Sequence, residues 1–100
     1  INITLTRANN WSDGLAYYTQ FNVKVTNTSS SQINSWSFTI NASNGEGVQQ
    51  SWNLNCDDTT SGIIVVSRPN SGNMIAPGGS YTEGGIILSA QVDNYIPTLK

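Results

Sequence analysis

The stretch Ala16-Tyr17-Tyr18-Thr19-Gln20-Phe21-Asn22-Val23-Lys24-Val25-Thr26 decides the fold. Phe21, Val23 and Val25 share one side of a period-2 alternation, and Tyr18, Gln20, Asn22, Lys24 and Thr26 share the other. That is the pattern of a strand with one face in a core and one toward water. Upstream, Ile1, Ile3 and Leu5 alternate with Asn2, Thr4 and Thr6, which predicts a second strand ending near Arg7. Between them, Asn9 to Gly14 collects turn-forming residues around Trp11, so Trp11 is expected in a loop, where it is hard to bury.

Downstream the same logic repeats. Asn27 to Gln32 reads as a polar turn, and Trp36, Phe38 and Ile40 then alternate with Ser35, Ser37 and Thr39, which places Trp36 in a core. After the turn residues Asn41 to Gly45, Val48 to Leu54 is expected as a strand in which Val48, Gln50, Trp52 and Leu54 share a parity, leaving Trp52 between core and surface. The β-branched run Ile63 to Val66 suits a strand covered on both faces. Arg68 to Gly79, with Pro69, Pro77 and three glycines, reads as a loop. Tyr81 to Leu88 and Ala90 to Ile96 read as two last strands, with a bulge at Gly84-Gly85. Short strands at this spacing, with no helical period or internal repeat, predict an all-β fold: an antiparallel β-sandwich of about seven strands. Its 100 residues fit a single domain spanning 1–100.

Composition narrows the function. Only 10% of residues are charged, whereas Asn, Ser and Thr number 13, 13 and 10, so polarity comes from amides and hydroxyls. A formal net charge of −2 offers no basic footprint for nucleic acid or an anionic membrane. The absence of His removes the usual proton shuttle and the commonest metal ligand. The single cysteine, Cys56, has no partner within the sequence for a disulfide or a zinc site, and is read as a small apolar residue. No metal or cofactor is expected. The longest apolar run, Ile63 to Val66, is far too short to span a bilayer as a helix. The start at Ile1 is that expected of an excised or processed domain, and four N-x-S/T sequons, at Asn2, Asn10, Asn27 and Asn41, point toward a secreted, glycosylated protein.

The carboxylates Asp13, Glu46, Asp57, Asp58, Glu83 and Asp93 sit mostly among turn residues. Solvated surface explains them more simply than the opposed acid and base of a glycosidase. Asp57-Asp58-Thr59-Thr60 lacks the alternating ligands and glycine of a calcium loop. The aromatics carry more information. A pyranose ring presents C–H bonds on its flat faces and hydroxyls around its rim, so a site for it needs exposed Trp or Tyr flanked by amides and hydroxyls. Trp11 and Tyr18 meet this description, and Trp52 meets it if its strand is bulged or ends before Asn53.

The order of these residues carries a resemblance. Asn10-Trp11, Gly14, Tyr18-x-Gln20-x-x-Val23-x-Val25-x-Asn27, Ile33-x-x-Trp36, Gln49-Gln50-Ser51-Trp52-Asn53 and Ala76-Pro77-Gly78-Gly79-Ser80 resemble the cellulose-binding modules of families 2 and 49. Family 49 looks closer through Tyr18-x-Gln20 and Ser89-x-x-Val92-x-x-Tyr95. The resemblance implies a β-sandwich that binds crystalline cellulose on a flat row of aromatics, as found on secreted endoglucanases and in wall-binding lectins of encysting protists. It matches Trp11 and Trp52 to two platform tryptophans and Trp36 to a core position. The family's third platform Trp is missing: the sequence there reads Ser67-Arg68-Pro69-Asn70-Ser71. Either two rings suffice, or Tyr18 or another Tyr substitutes. The terminal disulfide common in family 2 is also absent.

The expectation is therefore a non-catalytic, secreted or cell-wall-associated monomer binding cellulose or another insoluble β-1,4-glucan. Trp11, Trp52 and Tyr18 would stack on sugar rings, and Gln20, Asn22, Gln50 and Asn53 would meet hydroxyls. The competing readings are an Ig-like adhesion or structural domain with a protein partner, since a fold alone does not fix function, and a small glycoside hydrolase.

Overall fold

A computed structural model describes residues 1–42, 45–59, 62–69, 74–91 and 97–99. Seven strands, β1 (Asn2–Ser12), β2 (Tyr17–Thr26), β3 (Ser37–Asn41), β4 (Gly47–Trp52), β5 (Asn55–Asp57), β6 (Ile63–Ser67) and β7 (Ser80–Ala90), form two antiparallel sheets, with no helix among the described residues. The larger sheet has the order β1-β2-β7-β4 and the smaller β3-β6-β5. The architecture is the expected β-sandwich.

The alternation of β2 becomes one wall of the core. Phe21, Val23 and Val25 are sealed against Ile86 and Leu88 of β7 on the same sheet, and against Phe38, Ile40, Ile64 and Val66 from the facing one. Fully burying each such side chain stabilises the fold by roughly 1.5–3 kcal/mol. Trp36, 6% exposed, closes one end of this core. Its ring stacks on Phe38 at 6.2 Å and 15°, and tilts against Tyr81 at 5.7 Å. The core role expected for Trp36 holds, although it lies just outside β3, where its carbonyl accepts the Arg68 N–H at 3.0 Å.

Several boundaries differ from the sequence reading, each for a local reason. β1 does not end near Arg7. It continues to Ser12 past a register shift between Arg7 and Asn9, so Trp11 lies in a strand and not in a loop. The segment Val48 to Leu54 is broken after Trp52 by Asn53, whose φ of 55° turns the chain into the separate strand β5, because left-handed backbone cannot continue a ladder. β6 is sealed on one side only: Ile64 and Val66 are buried, while Ile63 and Val65 are half-buried. The Arg68–Gly79 loop contains an isolated bridge, Ile75 to Ile33, with both N–H···O bonds at 3.0 Å. β7 is one strand through Gly84-Gly85, and its irregularity falls beside them, at Thr82-Glu83, where Val23 pairs with Gly84 but Val25 with Tyr81. Most of the strand expected over Ala90 to Ile96, including Tyr95, and the Asn70 position lie outside the described residues.

Candidate functional site

Three rows of paired residues cross all four strands on the face of the larger sheet that points away from the core, and the exposed Lys24, paired with Thr4, lies on the same face beyond them. Directly paired residues of an antiparallel ladder project to the same side, so the rows read Trp11–Tyr18–Ser89–Gly47, Asn9–Gln20–Ile87–Gln50 and Thr6–Asn22–Gly85–Trp52. None of these residues is charged. Trp11, Tyr18, Gln20, Asn22, Gln50 and Trp52 thus come together on one surface, although they arise from three strands.

Two bulges put the tryptophans there. In β1 the parity of Ile3 and Leu5, which pack toward the core, would carry Trp11 inward. The extra residue Ala8, left between the pairs Arg7–Phe21 and Asn9–Gln20, reverses the alternation. In β4, Val48 pairs with the buried Leu88, and Gln49 is the extra residue before Gln50 pairs with Ile87. Gln50 and Trp52 therefore face outward while Val48 faces inward, and the shared parity expected for Val48, Gln50 and Trp52 does not hold. The two tryptophans stand on the sheet's opposite edges, four residues apart along β2 and three strand spacings apart across it. That is about 13 Å by about 14 Å.

Trp11, 39% exposed, stacks on Tyr18 with ring centroids 5.8 Å apart and 20° between planes. The Tyr18 hydroxyl donates to Asp13 Oδ2 at 2.9 Å, and Asp13 Oδ1 accepts the N–H groups of Leu15 and Ala16, each at 2.9 Å. These three donors hold the Asp13 carboxyl below its ordinary value, the Leu15 N–H contributing most, and the bond that Tyr18 donates to Asp13 in turn raises the Tyr18 phenol. Ser12 Oγ donates to the Ala16 carbonyl at 3.0 Å and accepts the Gly14 N–H at 3.1 Å, while Gly14 takes a φ of 88° that closes the turn. The turn chemistry noted around Trp11 is real, but it sits one step further along and braces the Trp11–Tyr18 pair.

Trp52 is half-buried because its indole occupies the space above its cross-strand partner Gly85. Asn53 is placed differently from the other candidate polar residues. Its Nδ2 donates to the Glu83 carbonyl at 2.9 Å and its own carbonyl accepts the Tyr81 hydroxyl at 2.7 Å, so that side chain helps hold the turn. The register also brings in Asn9, Thr6, Ile87 and Ser89, which sequence reasoning did not single out. Pairing across strands, not local pattern, puts them there.

The acidic residues of the Asp57-Asp58 turn have structural work. Asp57 Oδ1 accepts the Thr59 N–H and hydroxyl at 3.0 and 2.6 Å, and Asp58 Oδ2 accepts the Val48 N–H at 3.1 Å. Those Thr59 bonds hold the Asp57 carboxyl low. Cys56 is half-buried and packs against the core cluster, with burial pushing its thiol up, the reverse of what an activated thiolate requires.

Residues 1–98 match the family described as Cellulose binding domain, CBM_2. Three solved structures share the fold. The chitin-binding domain of Chi18aC from Streptomyces coelicolor superposes with a TM-score of 0.71 at 18% identity, over 97% of this chain and 87% of that one. Chitinase ChiA74 from Bacillus thuringiensis gives 0.66 at 17% identity, over 98% of this chain and 15% of that one. The internal xylan binding domain of Cellulomonas fimi xylanase D gives 0.59 at 23% identity, over 97% and 90%. The protein is a non-catalytic carbohydrate-binding module, and it belongs to the CBM_2 family of cellulose binding domains.

Proposed function

We propose that this module binds an insoluble β-1,4-linked glucan, cellulose foremost, across the outward face of the β1-β2-β7-β4 sheet. One observation carries the reading: Trp11, Tyr18 and Trp52 share that face with Gln20, Asn22 and Gln50, and no charged side chain stands in the rows between them. Each aromatic ring offers a flat apolar surface to the C–H face of a pyranose, and the amides between them offer donors and acceptors to its hydroxyls. A neutral, repetitive ligand suits rows of rings and uncharged amides, with Lys24 standing outside the rows that join Trp11 to Trp52. Trp11 with Tyr18 forms one stacking position and Trp52 the other, so Tyr18 takes the part of the missing third ring beside Trp11. Asn53 keeps its side-chain carbonyl and one N–H for a ligand, since the other N–H of Nδ2 is given to the Glu83 carbonyl.

Tyr18-x-Gln20 supports a particular kinship with family 49. The module is proposed to act as a monomer on a secreted or wall-associated protein. Chitin and xylan are the alternatives that the names of the structural neighbours suggest. Depletion from solution by microcrystalline cellulose, chitin and insoluble xylan, run in parallel, tests the reading. Retention on cellulose that falls for Trp11→Ala and for Trp52→Ala is the expected result. Retention on chitin alone would reassign the ligand, and retention on none of the three would favour a protein partner.

A further inference from the structure

Two consecutive glycines in the middle of a strand weaken it, because they lack side chains to pack and lose the most backbone freedom. Gly84 and Gly85 sit in the middle of β7, and both seats are filled from the β4–β5 segment. A Cβ on Gly84, on the core side, would come within 2.6 Å of Leu54 Cδ2. A Cβ on Gly85, on the outward side, would overlap the Trp52 indole at Cζ2 and Cε2. Trp52, Asn53 and Leu54 therefore straddle β7, with Asn53 pinned to it through Glu83 and Tyr81.

We propose that Gly85 is a positioning residue for ligand binding: its bare backbone lets the Trp52 indole settle onto the sheet and fixes the ring's height and orientation. The proposal rests on the reading of Trp52 as a ligand contact. With any side chain at position 85 the indole must lift or swing from its seat over β7. The bulge at Gln49 decides which face Trp52 takes, and Gly85 decides how the ring lies on it. An aromatic over a cross-strand glycine also stabilises a sheet, so the test must separate position from stability.

The experiment uses four proteins: the parent, Gly85→Ala, Trp52→Ala and the double variant. Adsorption isotherms on microcrystalline cellulose, near-ultraviolet circular dichroism and thermal melting are measured for each. Gly85→Ala is expected to weaken adsorption about tenfold or more, the scale of a lost aromatic contact, and to change the tryptophan dichroism of the folded protein. Adding Gly85→Ala to Trp52→Ala is expected to change neither. Parent-like adsorption by Gly85→Ala, or an equal loss in both backgrounds, overturns the proposal. If Trp52→Ala adsorbs like the parent, the binding-face reading fails, and Gly85 as a residue for binding fails with it. The dichroism then still reports whether Gly85 sets the ring. Should Gly85→Ala not fold, a folded double variant confirms that the indole is what the methyl strikes, and that variant's isotherm must then match Trp52→Ala. An unfolded double variant overturns the proposal.

Discussion

Trp11 and Trp52 reach the same face of the sheet by the same device: each stands on an edge strand, just after a single extra residue, Ala8 in β1 and Gln49 in β4, that reverses the strand's alternation. Without the bulges both would carry core parity. Bulges increase local twist and interrupt pairing at sheet edges, so here one feature both re-aims an aromatic and blunts an exposed edge.

Deleting Ala8 is therefore expected to impair binding without touching a single contact residue. Ile3 and Leu5 anchor their half of β1 against the core, so the other half slips by a residue and turns Trp11 inward. Cellulose adsorption should fall at least as far as in Trp11→Ala. Adsorption equal to the parent's would mean that the hairpin absorbs the deletion and that the bulge does not set Trp11's face.

The tryptophans separate stability from binding. Trp36→Ala removes a ring buried between Phe38 and Tyr81 and is expected to cost about 3–5 kcal/mol. Trp11→Ala removes an exposed ring and should leave melting nearly unchanged while cutting adsorption. Thermal unfolding beside isotherms for both variants checks the assignment, and a large melting loss for Trp11→Ala would reverse it.

Much of this was legible in the chain itself. The alternation of Phe21, Val23 and Val25 fixes β2, and the parity of Trp36 with Phe38 and Ile40 gives its core role, because burial on one face imposes a period that sequence displays directly. Trp52 was not legible in the same way. Its parity with Val48 is correct as counted but is broken by Gln49, and a bulge leaves no compositional mark when the extra residue is an ordinary Gln. Nor could local pattern show that Asn9 and Thr6 share a face with Gln50 and Trp52, since that depends on register across four strands. Trp11 was expected in a loop because Asn9, Asn10, Ser12 and Asp13 are all turn formers, yet pairing with β2 overrides that preference up to Ser12.

The Asp13–Tyr18 bond gives the hairpin an acid-sensitive brace. Asp13 titrates below the ordinary carboxylate value of 3.8, so the folded state favours the carboxylate. The resulting stabilisation is present above that pH and is lost as pH falls through the lower folded value. Trp11 fluorescence is expected to change as the solution is acidified below pH 3.8, and Asp13→Asn should abolish that transition. Its persistence in Asp13→Asn would assign it to another carboxylate.

Binding is expected to be nearly insensitive to salt. The rows between Trp11 and Trp52 hold no charged residue, and the whole chain carries a formal net charge of −2, so raising salt leaves little attraction to screen. Cellulose retention measured from low to molar sodium chloride should stay level. A steep decline would indicate an electrostatic ligand contact and would contradict a neutral polysaccharide held by rings and amides.

Asn27 is a buried polar residue whose side chain ties separate segments together. It is fully buried at the end of β2. Its Nδ2 donates to the carbonyls of Ser31 at 2.7 Å and Ile75 at 3.0 Å, and its Oδ1 accepts the N–H and hydroxyl of Ser29 at 2.9 and 2.7 Å. Its backbone N–H donates to the Gly79 carbonyl, and its carbonyl accepts the Gly78 N–H, each at 2.9 Å. One side chain thus ties the turn after β2 to the segment that leads into β7. Asn27→Asp keeps the shape but replaces two donors with an acceptor facing two carbonyl oxygens, at an expected cost of about 2–4 kcal/mol. That lowers the melting temperature by at least about 8 °C in a domain this small. The same burial bears on the sequon Asn27-Thr28-Ser29: an amide nitrogen already holding two carbonyls cannot carry a glycan in the folded protein, whereas Asn2 and Asn10 are exposed. Mass spectrometry of protein secreted from a glycosylating host should therefore find Asn27 bare. A glycan on Asn27 in material that melts cooperatively and binds cellulose would show that this tie is dispensable, as would an Asn27→Asp variant melting with the parent.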